Sequence, residues 1–160
     1  MAEQKTNVMR VLEQKKITYT PHSYPHGDDA VDGATVAQLI GKAPEQVYKT
    51  LVTVGASKNH YVFVIPVLAE LNLKKAAKAV GEKSIAMLHV SELLPLTGYV
   101  RGGCSPIGMK KQFRTVIDAS CEAQDTITVS AGKIGQQVEV APADLLKLIR
   151  GTTADVINEE

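Results

Sequence analysis

Long hydrophobic runs are missing from this chain: no stretch approaches the roughly 20 apolar residues that a membrane-spanning helix requires. Cysteine is nearly absent. The two present, Cys104 and Cys121, form no CxxC, and the opening Met1-Ala2-Glu3-Gln4-Lys5 lacks the apolar core of a secretory leader. The expectation is a cytoplasmic protein with reduced thiols. Excess charge is missing as well. A net charge of +1 supplies no global positive field to hold nucleic acid, so any such contact must come from a local patch. Internal repeats and low-complexity linkers are also lacking, which excludes solenoids and tandem domains.

What remains is an ordinary globular composition, 44% hydrophobic and 22% charged over 160 residues. That length suits one domain spanning residues 1–160. Thr6 is a candidate cap for a first helix carrying Val8, Val11 and Leu12, with Lys15 and Lys16 in its last turn. Residues 17–24 read as extended, at a sheet edge because of Pro21, and 25–33 as a polar loop. A short helix carries Val36, Leu39 and Ile40. The alternating run 47–54 and the apolar run 61–67 predict a hairpin, its second strand buried on both faces. Asn72 caps a helix over 73–80 that ends at Gly81, and 84–89 reads as a further strand. Ser91 caps a short helical stretch interrupted by Pro95 and Gly98. Strands follow at 115–118, 126–130 and 137–140, then a helix from Pro142 to Ile149 stopped by Gly151, and a frayed tail at Glu159-Glu160. Six or seven strands with short connections predict a mixed-sheet α/β (α+β) domain with flanking helices, not an alternating doubly wound one.

The most informative stretch is Gly102-Gly103-Cys104-Ser105-Pro106-Ile107-Gly108, running into Met109-Lys110-Lys111. Such a loop leaves backbone N–H groups uncovered, suited to phosphate, carboxylate or a developing oxyanion, or else it is a plain turn. It nearly matches a phosphate-binding P-loop from Gly103 to Gly108. However, Met109 stands where Gly-Lys-Ser/Thr is required, and Pro106 removes a donor. Cys104 invites a nucleophile reading with Arg101, Lys110, Lys111 or His89 as activator, against the reading of a buried bystander. His22 and His26 are separated by prolines and have no third partner, so no metal site is read, and no GxSxG elbow occurs. Lys49 interrupts a β-forming run. It is either a snorkelling edge residue or a charge held for an anion or carbonyl. Ser130-Ala131-Gly132-Lys133-Ile134-Gly135 reads as a hairpin turn.

In order along the chain, Tyr48-Lys49-Thr50-Leu51-Val52, Leu73-Lys74-Lys75-Ala76-Ala77-Lys78, the block from Thr97 through Gly102 and Pro106 to Lys111, and Val129-Ser130-Ala131-Gly132-Lys133 resemble the YbaK/EbsC family. The resemblance runs from about residue 6 to residue 157. It implies a free-standing aminoacyl-tRNA deacylase, related to the editing domain of bacterial prolyl-tRNA synthetases, with a mixed, partly barrel-like sheet and no cofactor. The implied activity is clearance of a mischarged small amino acid, foremost cysteine from Cys-tRNA(Pro), with a transient complex with prolyl-tRNA synthetase. Lys49 and Gly102 match the catalytic positions. Tyr24, Thr50, Gly103, Ser105, Pro106 and Ser130 match substrate-pocket positions. Lys74, Lys75, Lys78, Lys110 and Lys111 are the candidates for tRNA contact. The implied mechanism has no protein nucleophile, because the cysteinyl thiol of the substrate attacks its own ester. Asp32-Gly33 stands where members tend to have Phe-Gly, Ala131 replaces a glycine, and Ile134 replaces an arginine. These departures motivate the alternative of an EbsC-like, non-catalytic regulatory or tRNA-binding module. A small-molecule binder resting on the glycine-rich loop alone is a third reading.

Overall fold

The computed structural model describes residues 5–27 and 31–158. Met1–Gln4, part of the polar loop (Asp28–Ala30) and the terminal Glu159-Glu160 lie outside the described residues. Among the described residues five α-helices and eight strands alternate irregularly, with two short 3-10 turns between them. Helix α1 (Asn7–Gln14) starts where expected, with the Thr6 hydroxyl accepting from the Met9 N–H. It ends at Gln14, so Lys15 and Lys16 fall beyond the last turn.

Strand β1 (Tyr19–Ser23) is indeed an edge strand. It pairs only with β7 (Gln136–Val140), which in turn pairs with β6 (Ile127–Ser130). A second sheet has the order β4 (Ile85–Met87), β2 (Tyr48–Gly55), β3 (His60–Pro66), β5 (Arg114–Asp118), β8 (Thr152–Ala154). The β2–β3 hairpin is antiparallel, whereas β3–β5 and β5–β8 are parallel. The sheets touch through an isolated bridge between Val47 and Thr128 and do not close into a barrel. Strand β8 has no signal of its own in the sequence. Three residues of Thr-Thr-Ala extend only because β5 offers them an unpaired edge.

The five-stranded sheet separates two cores. On one face, Val62, Val64 and Ile117 pack with Val8 and Leu12 of α1, Ile127 and Val129 of β6, and Leu145 of α5 (Pro142–Ile149). On the other, Phe63, Ile65 and Val116 receive Ala76, Ala77 and Val80 of α3 (Leu73–Val80). Successive residues of β3 feed opposite cores, which is why its sequence is apolar throughout. Later boundaries differ from expectation too, the strand expected over 84–89 being only Ile85–Met87. Helix α4 (Val90–Thr97) begins after His89 with no side-chain cap, and it accommodates Pro95 instead of breaking there. Helix α5 ends on Arg150 in the left-handed conformation, one residue before Gly151.

Strands β6 and β7 position the site. Ile127, Val129, Val138 and Val140 enter the core, and the alternate residues Thr128, Ser130, Gln137 and Glu139 form the opposite face. That polar face is not left to solvent. Lys42, just past the end of helix α2 (Gly33–Ile40), bridges Glu139 at 2.9 Å, and the His22 ring of β1 hydrogen-bonds the same carboxylate at 2.8 Å. Burial pushes the Glu139 carboxyl up. Hydrogen bonds from Thr126, His22 and Lys42 outweigh that and hold it at about 2.

Candidate active site

The seam where the two sheets part encloses a cavity of about 120 Å³. Strand β2 leads into it with Val47, Tyr48, Lys49 and Thr50, and the far ends of β6 and β7 supply Ser130 and Gln137. Tyr24 enters just after β1, anchored by its N–H to the Gly135 carbonyl at 3.0 Å. The lid consists of Val31, Gly33 and Val36, facing Val67. Only glycine permits this closure at position 33: a Cβ there would lie 2.4 Å from the Val67 side chain. Asp32 lies at the lid but points its carboxylate elsewhere. It caps α2 by accepting from the Thr35 N–H at 3.1 Å and its hydroxyl at 2.7 Å.

Lys49 is half-buried in this wall and makes no hydrogen bond or ion pair with the described residues. Burial pulls its pKa down, opposed by the charge of Glu70. Thr50 Oγ1 is buried with no partner among the described residues. Gln137 is 5% exposed, and its amide makes no hydrogen bond among the described residues. Of these groups only Thr50 Oγ1 is a fully buried atom left unpaired; Thr128 Oγ1 and Gln136 Oε1, which do not line the cavity, are unpaired as well among the described residues. With Lys49 and Gln137 beside Thr50, the cavity offers three polar side chains that a polar ligand could engage.

The glycine-rich loop contributes Gly102 and Cys104. Its donors are not all open. The Gly103 N–H is spent on the Val100 carbonyl at 2.9 Å and that of Ile107 on Ser105 Oγ at 3.2 Å. The N–H groups of Gly102 and Cys104 make no hydrogen bond among the described residues. Gly103, Ser105 and Pro106 do not line the cavity; they hold the loop that does. The hold is tight, since a Cβ on Gly103 would lie 3.1 Å from the Ile134 nitrogen and 3.2 Å from Lys133 backbone atoms. Behind the loop the Tyr99 hydroxyl donates to the Ile107 carbonyl at 2.5 Å. The Cys104 thiol is buried, which pushes its pKa up to about 12, and no cation offsets the shift. Burial therefore disfavours the thiolate that a nucleophilic role requires.

The remaining sequence candidates scatter. Helix α3 carries Lys74, Lys75 and Lys78 on the sheet face opposite the main core, and Lys75 is engaged by Asp155 at 2.9 Å and by the Ile157 carbonyl. Lys110 and Lys111 are exposed just past the loop. His22 pairs with Glu139 while His26 stacks edge-on to Tyr24, and no metal-binding cluster occurs among the described residues. Sequence reasoning missed Gln137 and the valines at 31, 36, 47 and 67. The strand alternation marks Gln137 as polar-face, which ordinarily means solvent, and only the assembly of several elements around the cavity reverses that.

Comparison with known proteins fits this geometry. Residues 28–148 match the family model described as an aminoacyl-tRNA editing domain. A curated protein of Enterococcus faecalis, named "Putative Cys-tRNA(Pro)/Cys-tRNA(Cys) deacylase EbsC", is 46% identical over 158 residues, covering 99% of this chain and 96% of the relative. Two solved structures share the fold at 22% identity. One, described as "a putative trans-editing enzyme for prolyl tRNA synthetase", has a TM-score of 0.83, with 99% of this chain and all of that one covered. The other, the hypothetical protein APE2540, has a TM-score of 0.84, with 94% and 99% covered. No helix among the described residues is long and apolar enough to cross a membrane. With a small cavity bordered by the glycine-rich loop, a family-model match over residues 28–148 and a relative 46% identical across nearly its whole length, this chain belongs to the aminoacyl-tRNA editing domain family.

Proposed function

We propose that this protein, acting as one editing domain over its length, is a trans-editing aminoacyl-tRNA deacylase. It clears cysteine mischarged onto tRNA(Pro) in the cytoplasm, in transient complex with prolyl-tRNA synthetase. The observation that carries the reading is the small cavity with unpaired donors and no competent protein nucleophile. Lys49, Gly102 and Cys104 line a space for one small acyl group, the N–H groups of Gly102 and Cys104 have no partner among the described residues, and burial disfavours the Cys104 thiolate. The reaction needs little else. The substrate thiol attacks its own ester carbonyl, the carbonyl oxygen becomes an oxyanion, and the C–O bond to the terminal ribose breaks. The thiol proton ends on the departing ribose oxygen, leaving free tRNA and a cyclic thiolactone. Enclosure holds the attack conformer, and pre-aligned donors meet the oxyanion without reorganisation. Thr50, Ser130, Gln137 and Tyr24 orient the amino group and the ribose. Gly103, Ser105 and Pro106 fix the loop. Exposed lysines, Lys110 and Lys111 first and Lys74 and Lys78 after them, meet tRNA phosphates.

A deacylation panel with Cys, Ala, Ser and Pro esters on matched tRNAs tests this reading. Fastest turnover is expected on Cys-tRNA(Pro). Retained binding with no turnover on any ester would replace the enzyme with a regulatory tRNA-binding module.

A further inference from the structure

A second recess lies beside the cavity. It is an open cleft of about 550 Å³ lined by Lys5, Thr6, Asn7, Arg10 and Lys133. Three of these five residues are cationic and none is acidic. Lys5 bridges Glu13 at 2.8 Å, whereas Arg10 and Lys133 are exposed and make no ion pair among the described residues. In a chain of net charge +1, such a cluster is the kind of local patch that nucleic-acid contact requires.

The cleft and the cavity share a wall. Ser130 lines the cavity and Lys133 the cleft, and the three steps between them span at most about 11 Å. Gly103, between the loop residues that line the cavity, lies against the Lys133 backbone. At the loop's other end a Cβ on Gly108 would lie 3.3 Å from Asn7 Nδ2, and one on Gly132 3.3 Å from Val8 Cγ2. The start of α1, the glycine-rich loop and the β6–β7 turn are therefore one packed unit, cavity on one side and cleft on the other. A ligand with its reacting ester in the cavity and a phosphodiester chain leaving it has this cleft within reach. The lysines of α3 lie across the sheet, and one of them is engaged by Asp155.

We propose that this cleft holds backbone phosphates at the acceptor end of the tRNA, with Arg10 and Lys133 as the principal contacts and Lys5 as a third. The proposal rests on the aminoacyl-tRNA reading of the neighbouring cavity. Its test compares Arg10→Glu/Lys133→Glu, and the milder Arg10→Gln/Lys133→Gln, with Lys147→Glu on the exposed side of α5 as a control, all checked for native circular dichroism. Two measurements are made: tRNA binding against salt concentration, and deacylation of Cys-tRNA(Pro) beside cysteinyl-adenosine, which has no phosphate. For the double variants we expect a loss of kcat/KM on Cys-tRNA(Pro) that exceeds the loss on cysteinyl-adenosine by at least about tenfold. The salt slope of tRNA binding should become shallower by about 1.5, the value for two lost phosphate contacts. The control should change neither. An unchanged salt slope, or equal losses on both substrates, would overturn the cleft. Should the wild-type protein turn over neither substrate, the enzymatic reading fails, and the salt slope of tRNA binding still decides the cleft on its own.

Discussion

The cavity at the sheet seam and the cleft beside α1 lie back to back on the β6–β7 turn, and they are built on opposite principles. The cavity is small, its valines stand among polar side chains, and Lys49, Thr50 and Gln137 have no side-chain partner among the described residues. Each of those groups interacts strongly with whatever enters, over a range of one hydrogen bond. The cleft is wide, wet and cationic, and its charges act weakly and over a longer range that salt shortens. Catalytic selectivity belongs to the first kind of site and docking of a polyanion to the second. A deacylase of a small acyl group on a large RNA needs both within one nucleotide's reach.

The largest expected effect belongs to Lys49. Replacing it by alanine should lower kcat on Cys-tRNA(Pro) by about 10²-fold or more, the usual result of removing one electrostatic donor. Folding and tRNA affinity should be nearly unchanged. Stopped or quenched time courses under single-turnover conditions measure this directly. Wild-type turnover by that variant would take the lysine out of the mechanism, and a loss confined to affinity would move it to the docking surface.

Gly103→Ala tests the shared wall itself. The added methyl has only 3.1–3.2 Å to the Lys133–Ile134 backbone, and backbone gives way less readily than a side-chain end. We expect about 1–3 kcal/mol of destabilisation in urea unfolding, the usual cost of overpacking. Turnover and the salt slope should shift together. A stable variant altered in only one of them would show that cavity and cleft are mechanically separate.

The smallest effect is expected from Cys104→Ser. Burial disfavours the thiolate and serine keeps the backbone N–H to which the proposal assigns the role, so kcat should change by less than about tenfold. A loss of the size expected for Lys49→Ala would restore the cysteine as nucleophile.

Much of this was legible in advance for local reasons. Thr6 and Asn72 cap helices because a side-chain oxygen next to a helical run satisfies an otherwise unpaired N–H wherever the helix sits. The β2–β3 hairpin and the doubly buried β3 follow from alternation and its absence. The family motifs singled out Lys49, Thr50, Gly102, Tyr24 and Ser130, all of which line the cavity. Ser91 failed as a cap because the helix starts one residue before it.

By itself, then, the sequence determined the elements and the order in which they come, together with the loop whose glycines and proline allow no regular structure. Those depend on interactions within a few residues. Tertiary structure alone decided that the polar face of β6 and β7 is buried as well as the apolar one, and so made Gln137 a cavity residue instead of a solvated one. It brought Arg10 and Lys133, more than a hundred residues apart, to one cleft, and it found a partner edge for β8. The physical reason is the same each time: burial and charge proximity are set by what packs against a residue, and the partner is written elsewhere in the chain.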